Sequence, residues 1–206
     1  MRILAIETAT AACSVALFDG ATLVDARHET LGRGHAERLI PMIAELPAKG
    51  RADRILVSLG PGSFTGTRIG IAAARALGLA WNAEVLGYPT LALIAAAARE
   101  AIGSVPILVV MAGGHGEWFV QPFTADGLAS APEVSAAPAA AADSFSLEHI
   151  AGSQAAAFVE QRGWGQAHPM LPDARDITAL PMDCFTTRIA PVYGRPPDAR
   201  PAAAKV

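Results

Sequence analysis

The chain has 206 residues and a formal net charge of −3. Only two of its sixteen basic side chains are lysines, Lys49 and Lys205, and no basic run forms a stripe for a nucleic-acid backbone. It is 52% hydrophobic, much of that alanine, yet no run reaches the ~18–20 apolar residues of a membrane span; Leu91–Ala98 and Val105–Ala112 are far too short.

The length allows one large domain or two small ones, each with its own core. Arg2–Ile6, Cys13–Phe18 and Thr22–His28 read as strands, with Asp19-Gly20 as a turn between the last two. A helix follows over Gly34–Leu46, where Leu39, Met42, Ile43 and Leu46 recur with helical spacing. Pro41 inside it removes a hydrogen bond and is expected to kink it. Asp53–Ser58 is a buried strand, and a glycine loop leads into a small-residue helix that runs from Thr65 to Trp81. Glu84–Gly87 is a strand and Leu91–Ala101 a helix, an α/β order. Pro106–Met111 and Glu117–Phe123 pair across the turn Gly113–Gly116. Gly127–Asp143, rich in alanine and proline, reads as loop with an edge strand. Leu147–Ile150, Ala155–Gln161 and Asp173–Met182 read as short helices, and Pro191–Val206 as an extended tail with a disordered end. Cys13 and Cys184 lack metal-type spacing and read as small hydrophobes of a reducing compartment. With no signal-peptide pattern in MRILAIETAT, the expectation is cytoplasmic.

The opening turn, Ile6-Glu7-Thr8-Ala9-Thr10, sets an acid and hydroxyls where a strand turns into a hairpin. Glu7, Thr8 and Thr10 are candidates for holding a nucleotide phosphate, the acid acting through a metal-bound water. An ordinary β-turn lined by threonines is the preferred alternative. The loop Gly60–Gly66 (GPGSFTG) is not a Walker A element, because Thr67-Arg68 follows Gly66 where that motif has Lys and Ser or Thr. Thr65 is the expected N-cap. Phe64 in mid-loop needs something to pack on, which favours a structural or interface role over phosphate binding. Ser63 lacks a G-x-S-x-G elbow and His35 lacks a metal-spaced companion, so neither a nucleophile nor a metal site is expected.

The helix after the loop carries Gly70, Ala74 and Gly78 at four-residue spacing, a face of nearly bare backbone. Glycine inside a helix costs ~1 kcal/mol relative to alanine, so a close contact is expected there, from the chain's own domain or from a partner. The partner reading takes His35, Arg38, Leu39, Met42, Ile43 and Leu46 from the first helix. From the second it takes Phe64, Arg68, Ile69, Gly70, Ile71, Ala74, Arg75 and Gly78.

The segments MRILAIETATAACSVAL, HAERLIPMI, GPGSFTGTRIGIAAARALG and PVYGRPPDA, in this order along the chain, resemble the TsaB (YeaZ) family. The resemblance implies an α/β, actin/hexokinase-like fold of two ribonuclease-H-like lobes, the second reduced. Residues 1–104 would form the first lobe, 105–190 the second and 191–206 a tail. It also implies a non-catalytic scaffold for threonylcarbamoyladenosine formation on tRNA, partnered by the catalytic subunit TsaD and the ATPase TsaE. Docking would use a helix bundle built from Gly34–Leu46 and Thr65–Trp81, with a homodimer when the partner is absent. The subunit itself would need no cofactor and hold no metal, ATP and Mg²⁺ being used by the complex, and tRNA would be met only through the complex. The family's opening turn carries Asp where this chain has Glu7, and Met111-Ala112-Gly113-Gly114 stands in place of an Asp-Ala-Arg signature. The alternatives are an ATP-binding or ATP-hydrolysing enzyme of the actin/hexokinase type and an M22-type peptidase.

Overall fold

A computed structural model describes residues 1–194. The end of the expected tail, from residue 195 on, lies outside the described residues. Three antiparallel strands come first: β1 (Arg2–Glu7), β2 (Ala12–Asp19) and β3 (Thr22–Thr30). After α1 (His35–Glu45), β4 (Arg54–Ser58) joins β1 in parallel. α2 (Phe64–Trp81) then leads to β5 (Glu84–Tyr88), which completes a sheet of order β3-β2-β1-β4-β5. α3 (Thr90–Ile102) follows.

The same order is then built again. β6 (Ile107–Ala112), β7 (Trp118–Phe123) and β8 (Val134–Ala136) form an antiparallel meander. α4 (Pro138–Ser144) precedes β9 (His149–Ala151), which is parallel to β6. α5 (Ala155–Arg162) precedes β10 (Gln166–His168), giving the order β10-β9-β6-β7-β8. Read from its other edge, the second sheet repeats the first, with shorter strands and helices. This is the expected actin/hexokinase-like architecture of two lobes, the second reduced.

The core forms three clusters that define five layers. α1 and α2 cover the outer face of the first sheet, burying Leu39, Met42, Ile43, Ile71 and Ala74 against Leu4, Ile6, Val15 and Val57. α3 and the 3-10 segment Ala174–Ala179 lie between the sheets, where Leu91, Ile94 and Ile177 meet Phe18, Val109 and Phe119. α4 and α5 cover the outer face of the second sheet.

Several elements differ from the sequence expectation. α1 runs unbroken through Pro41, which stands exposed. Leu147–Ile150 is not a helix, because its end belongs to β9, whose backbone is claimed by β6 and β10. The tract Gly127–Asp143 carries the expected edge strand as β8, but it also holds most of α4, a helix whose first residue is Pro138. The expected helix over Asp173–Met182 is a 3-10 segment, with the Asp173 carboxylate accepting from the Arg175 N–H at 2.9 Å. That segment, read as part of the second lobe, packs on the first. The Ala174 N–H donates to Ser14 Oγ at 2.9 Å, and Thr186 exchanges backbone hydrogen bonds with Gly87.

Candidate docking face and interlobe cleft

The two sequence motifs turn out to be each other's packing partners. The opening turn after β1 lies directly against the glycine loop before α2. The Ser63 N–H donates to the Ala9 carbonyl at 2.6 Å, and Thr8 Oγ1 donates to the Gly66 carbonyl at 2.8 Å. A Cβ added to Gly62 would strike the Ala9 carbonyl, and one on Gly66 the Thr8 carbonyl. These glycines exist so that two backbones can touch. The N-cap of α2 is Ser63, not Thr65: Ser63 Oγ accepts from the Gly66 N–H at 3.1 Å.

The bare face of α2 faces inward. A Cβ on Gly70 would meet the Thr8 hydroxyl and Val57, and one on Gly78 would meet Val85. Ala74 and Ile71 are buried beside them, and Ile69 is half-buried. Leu39, Met42, Ile43 and Leu46 of the first-helix stripe are likewise buried in the chain's own core. His35 is buried, with Nε2 3.2 Å from the Ala12 carbonyl. Arg38 binds Glu29 through its Nε at 2.9 Å and Glu45 through Nη1 at 2.7 Å, tying α1 to β3. The close contact that the spacing implies is therefore made within the chain's own domain. Of the expected contacts, only Phe64, Arg68 and Arg75 are exposed.

The outer face is different in character. α1 presents Ile40 and Ala44, and α2 presents Ala72, Ala76 and Leu79, with Arg75 among them. Leu79 is 88% exposed and Ile40 49%, so the apolar residues of this layer continue past the core to the surface.

A cleft of about 780 Å³ opens between the lobes, above the junction of turn and loop. Phe64, Met111, Phe119, Leu171 and Tyr193 supply its apolar walls. Arg68 is the cationic residue on its rim, and no Asp or Glu lines it among the described residues. Phe64, the loop aromatic in need of a partner, stacks on Tyr193 with ring centres 5.4 Å apart. Arg68 lies 3.4 Å over the Phe64 ring and donates to the Tyr193 hydroxyl at 2.7–2.9 Å. Tyr193 belongs to a C-terminal strap over residues 186–194. Arg75 donates to the Ile189 carbonyl at 2.6 Å, and the Val192 N–H to the Leu59 carbonyl at 2.7 Å. Nothing in the sequence near Phe64 points to a ring more than a hundred residues away.

The residues picked out for a phosphate are engaged within the protein. Glu7 is fully buried; its Oε1 accepts from the Ala9 N–H at 2.7 Å, and Tyr88 Oη lies 3.4 Å from Oε2. Burial raises its carboxyl from the ordinary 4.5 to about 7, against hydrogen bonds from Ala9, Ser58 and Tyr88. Thr10 reaches the cleft, but its Oγ1 accepts from the Ala12 N–H at 3.1 Å. A magnesium nucleotide, the ligand such a fold implies, needs oxygen ligands for the metal and donors for the phosphates. The cleft's residues do not fit it.

Residues 23–163 match the family described as "TsaD: tRNA N6-adenosine threonylcarbamoyltransferase". Over 131 residues, 61% of this chain and 56% of the relative, the sequence is 38% identical to the tRNA threonylcarbamoyladenosine biosynthesis protein TsaB of Escherichia coli K12. The structure of YeaZ from Pseudomonas aeruginosa superposes with a TM-score of 0.77 at 25% identity, covering 93% of this chain and 99% of that one. The chain belongs to the TsaB/YeaZ family. A second Pseudomonas aeruginosa structure, described as an uncharacterized protein with similarity to peptidase YEAZ, superposes with a TM-score of 0.81 at 26% identity, covering 94% and 99%. The chain spans about half the length of the curated TsaB relatives it matches. The family match spans α1 and α2, and both solved structures superpose over nearly the whole two-lobed frame.

Proposed function

We propose that this chain is a non-catalytic, cytoplasmic subunit of the machinery that forms threonylcarbamoyladenosine on tRNA. It docks on the catalytic subunit TsaD through the outer face of α1 and α2, the ATPase TsaE joins the pair, and tRNA is met only through the complex. Without TsaD the same face pairs with a second copy. The observation that carries this reading is that Ile40 on α1 and Ala72, Ala76 and Leu79 on α2 stand exposed on two helices whose other sides are anchored in the core. Small residues permit close helix approach, and a leucine 88% exposed has large apolar area to bury. Two TsaB relatives are threonylcarbamoyladenosine biosynthesis proteins, which supports the assignment to that pathway.

The test is co-purification with TsaD. Leu79→Glu combined with Ala76→Arg should reduce capture at least about tenfold, equivalent to ~1.4 kcal/mol, without lowering the melting temperature of the isolated chain. Substitution at Gly70 is unsuited to this purpose, because it strikes the chain's own Thr8. Capture that is undiminished in the double variant would remove this face from the docking surface. In cells depleted of the endogenous protein, the wild type should restore the modified nucleoside on tRNA, and the variant should not.

A further inference from the structure

The second lobe carries a pair of histidines that neither the docking face nor the cleft uses. His149 opens β9 and His168 ends β10, the edge strand of the second sheet. Ile150 and Ala167 turn toward the α4/α5 side, so strand alternation turns both imidazoles to the opposite face. There His149 Nδ1 lies 3.2 Å from His168 Nε2, with ring centres 5.5 Å apart and both residues half-buried.

When both rings are neutral, this spacing serves a hydrogen bond from one N–H to the other's lone pair. The same span suits two ligands of one metal ion. With metal–nitrogen bonds of about 2.0–2.1 Å, two adjacent donors lie about 2.9 Å apart at a right angle and about 3.4 Å apart at the tetrahedral angle. The two nitrogens lie nearly on the line joining the ring centres. At that bond length the ion sits off this line, so each ring must turn by roughly 40° to aim its lone pair at a common point, a rotation that χ2, a soft torsion for histidine, allows.

We propose that His149 and His168 form a two-histidine site for a divalent transition-metal ion of the zinc, nickel and copper group. Imidazole suits these ions, whereas Mg²⁺ and Ca²⁺ take oxygen ligands. No third His, Cys, Asp or Glu joins the pair among the described residues, so water completes the coordination. The neighbouring Glu148 is held by Gln166, whose Nε2 donates to it at 2.8 Å. A bound ion cross-links β10 to β9, which otherwise pair over only three residues. The clamp bears on the cleft as well: the Gly152 N–H donates to the His168 carbonyl, and the next two residues, Ser153 and Gln154, line the cleft.

Untagged full-length protein titrated with Ni²⁺ and with Zn²⁺ tests the site, by calorimetry and by NMR of the imidazole protons. One equivalent should bind, and Ni²⁺ should broaden the His149 and His168 signals first. His149→Gln or His168→Gln should weaken uptake at least about tenfold, while His28→Gln should not. Glutamine preserves hydrogen-bonding capacity, and a metal-free melting curve checks that each variant folds. The broadening experiment needs no variant. Absence of saturable uptake, or broadening centred on His28, His35 or His115, overturns the proposal.

Discussion

Glu7 is a carboxylic acid with no exposed surface, so its protonation bears directly on stability. Its carboxyl, raised to about 7 by burial, holds a proton in the folded protein at a pH where the unfolded chain has lost it. The folded state therefore binds more protons between pH 4.5 and about 7. Stability is greatest below that window, falls as pH rises through it and is level above. Linkage limits the loss to about 3 kcal/mol. Glu7→Gln should flatten the pH dependence of the urea midpoint and stabilise the protein at pH 8, where a wild-type carboxylate is charged and buried; an unchanged slope would show that Glu7 titrates normally. The loop glycines make a second prediction at this scale. Gly66→Ala drives a methyl into the Thr8 carbonyl, and its overpacking cost should be about 2 kcal/mol or more. Gly114→Ala, with open space around its Cβ, should be nearly neutral in the same urea titration.

Among the elements, α2 has two faces of small residues and only one of them was legible. The four-residue glycine spacing correctly signalled a close backbone approach. It could not say that the approaching groups are Thr8, Val57 and Val85 of the chain's own sheet, because contacts across the fold leave no local pattern. The outer alanines look unremarkable in sequence and become a surface only once the inner face is assigned. β1, β2, α1 and α2 were readable because each is long enough to show its period. β8, β9 and β10 have three residues each, too few for alternation to appear, which is why Leu147–Ile150 reads as a helix although its end forms β9. Phe64 announced a missing partner without identifying it. That partner, Tyr193, makes the strap a stabilising element: Tyr193→Ala removes a ring stack and a hydroxyl that accepts from Arg68. Since both rings are about half exposed, the cost should be only about 1 kcal/mol, read as a small drop in urea midpoint. A loss of several kcal/mol would mean that the strap holds the two lobes together.

For the molecule as a whole, the repeated sheet order explains how a cleft can persist where a magnesium nucleotide finds no footing. Two copies of one topology, joined through α3 and the segment 174–179, leave a gap between them by construction. Whether the gap holds a magnesium nucleotide depends on the side chains that line it. Here its walls are apolar, its cationic residue is stacked on Phe64 and bonded to Tyr193, and the one acid of the opening turn is sealed beneath the floor. A ligand at a hundred times its dissociation constant adds about 2.7 kcal/mol to stability, a readily measured rise in melting temperature. Addition of ATP with Mg²⁺ to the isolated chain should therefore give no greater rise than ATP with a chelator. A magnesium-dependent rise that disappears in Thr10→Val would show that the cleft recruits a metal-bound phosphate after all, and the chain would then have to be read as a nucleotide-binding subunit.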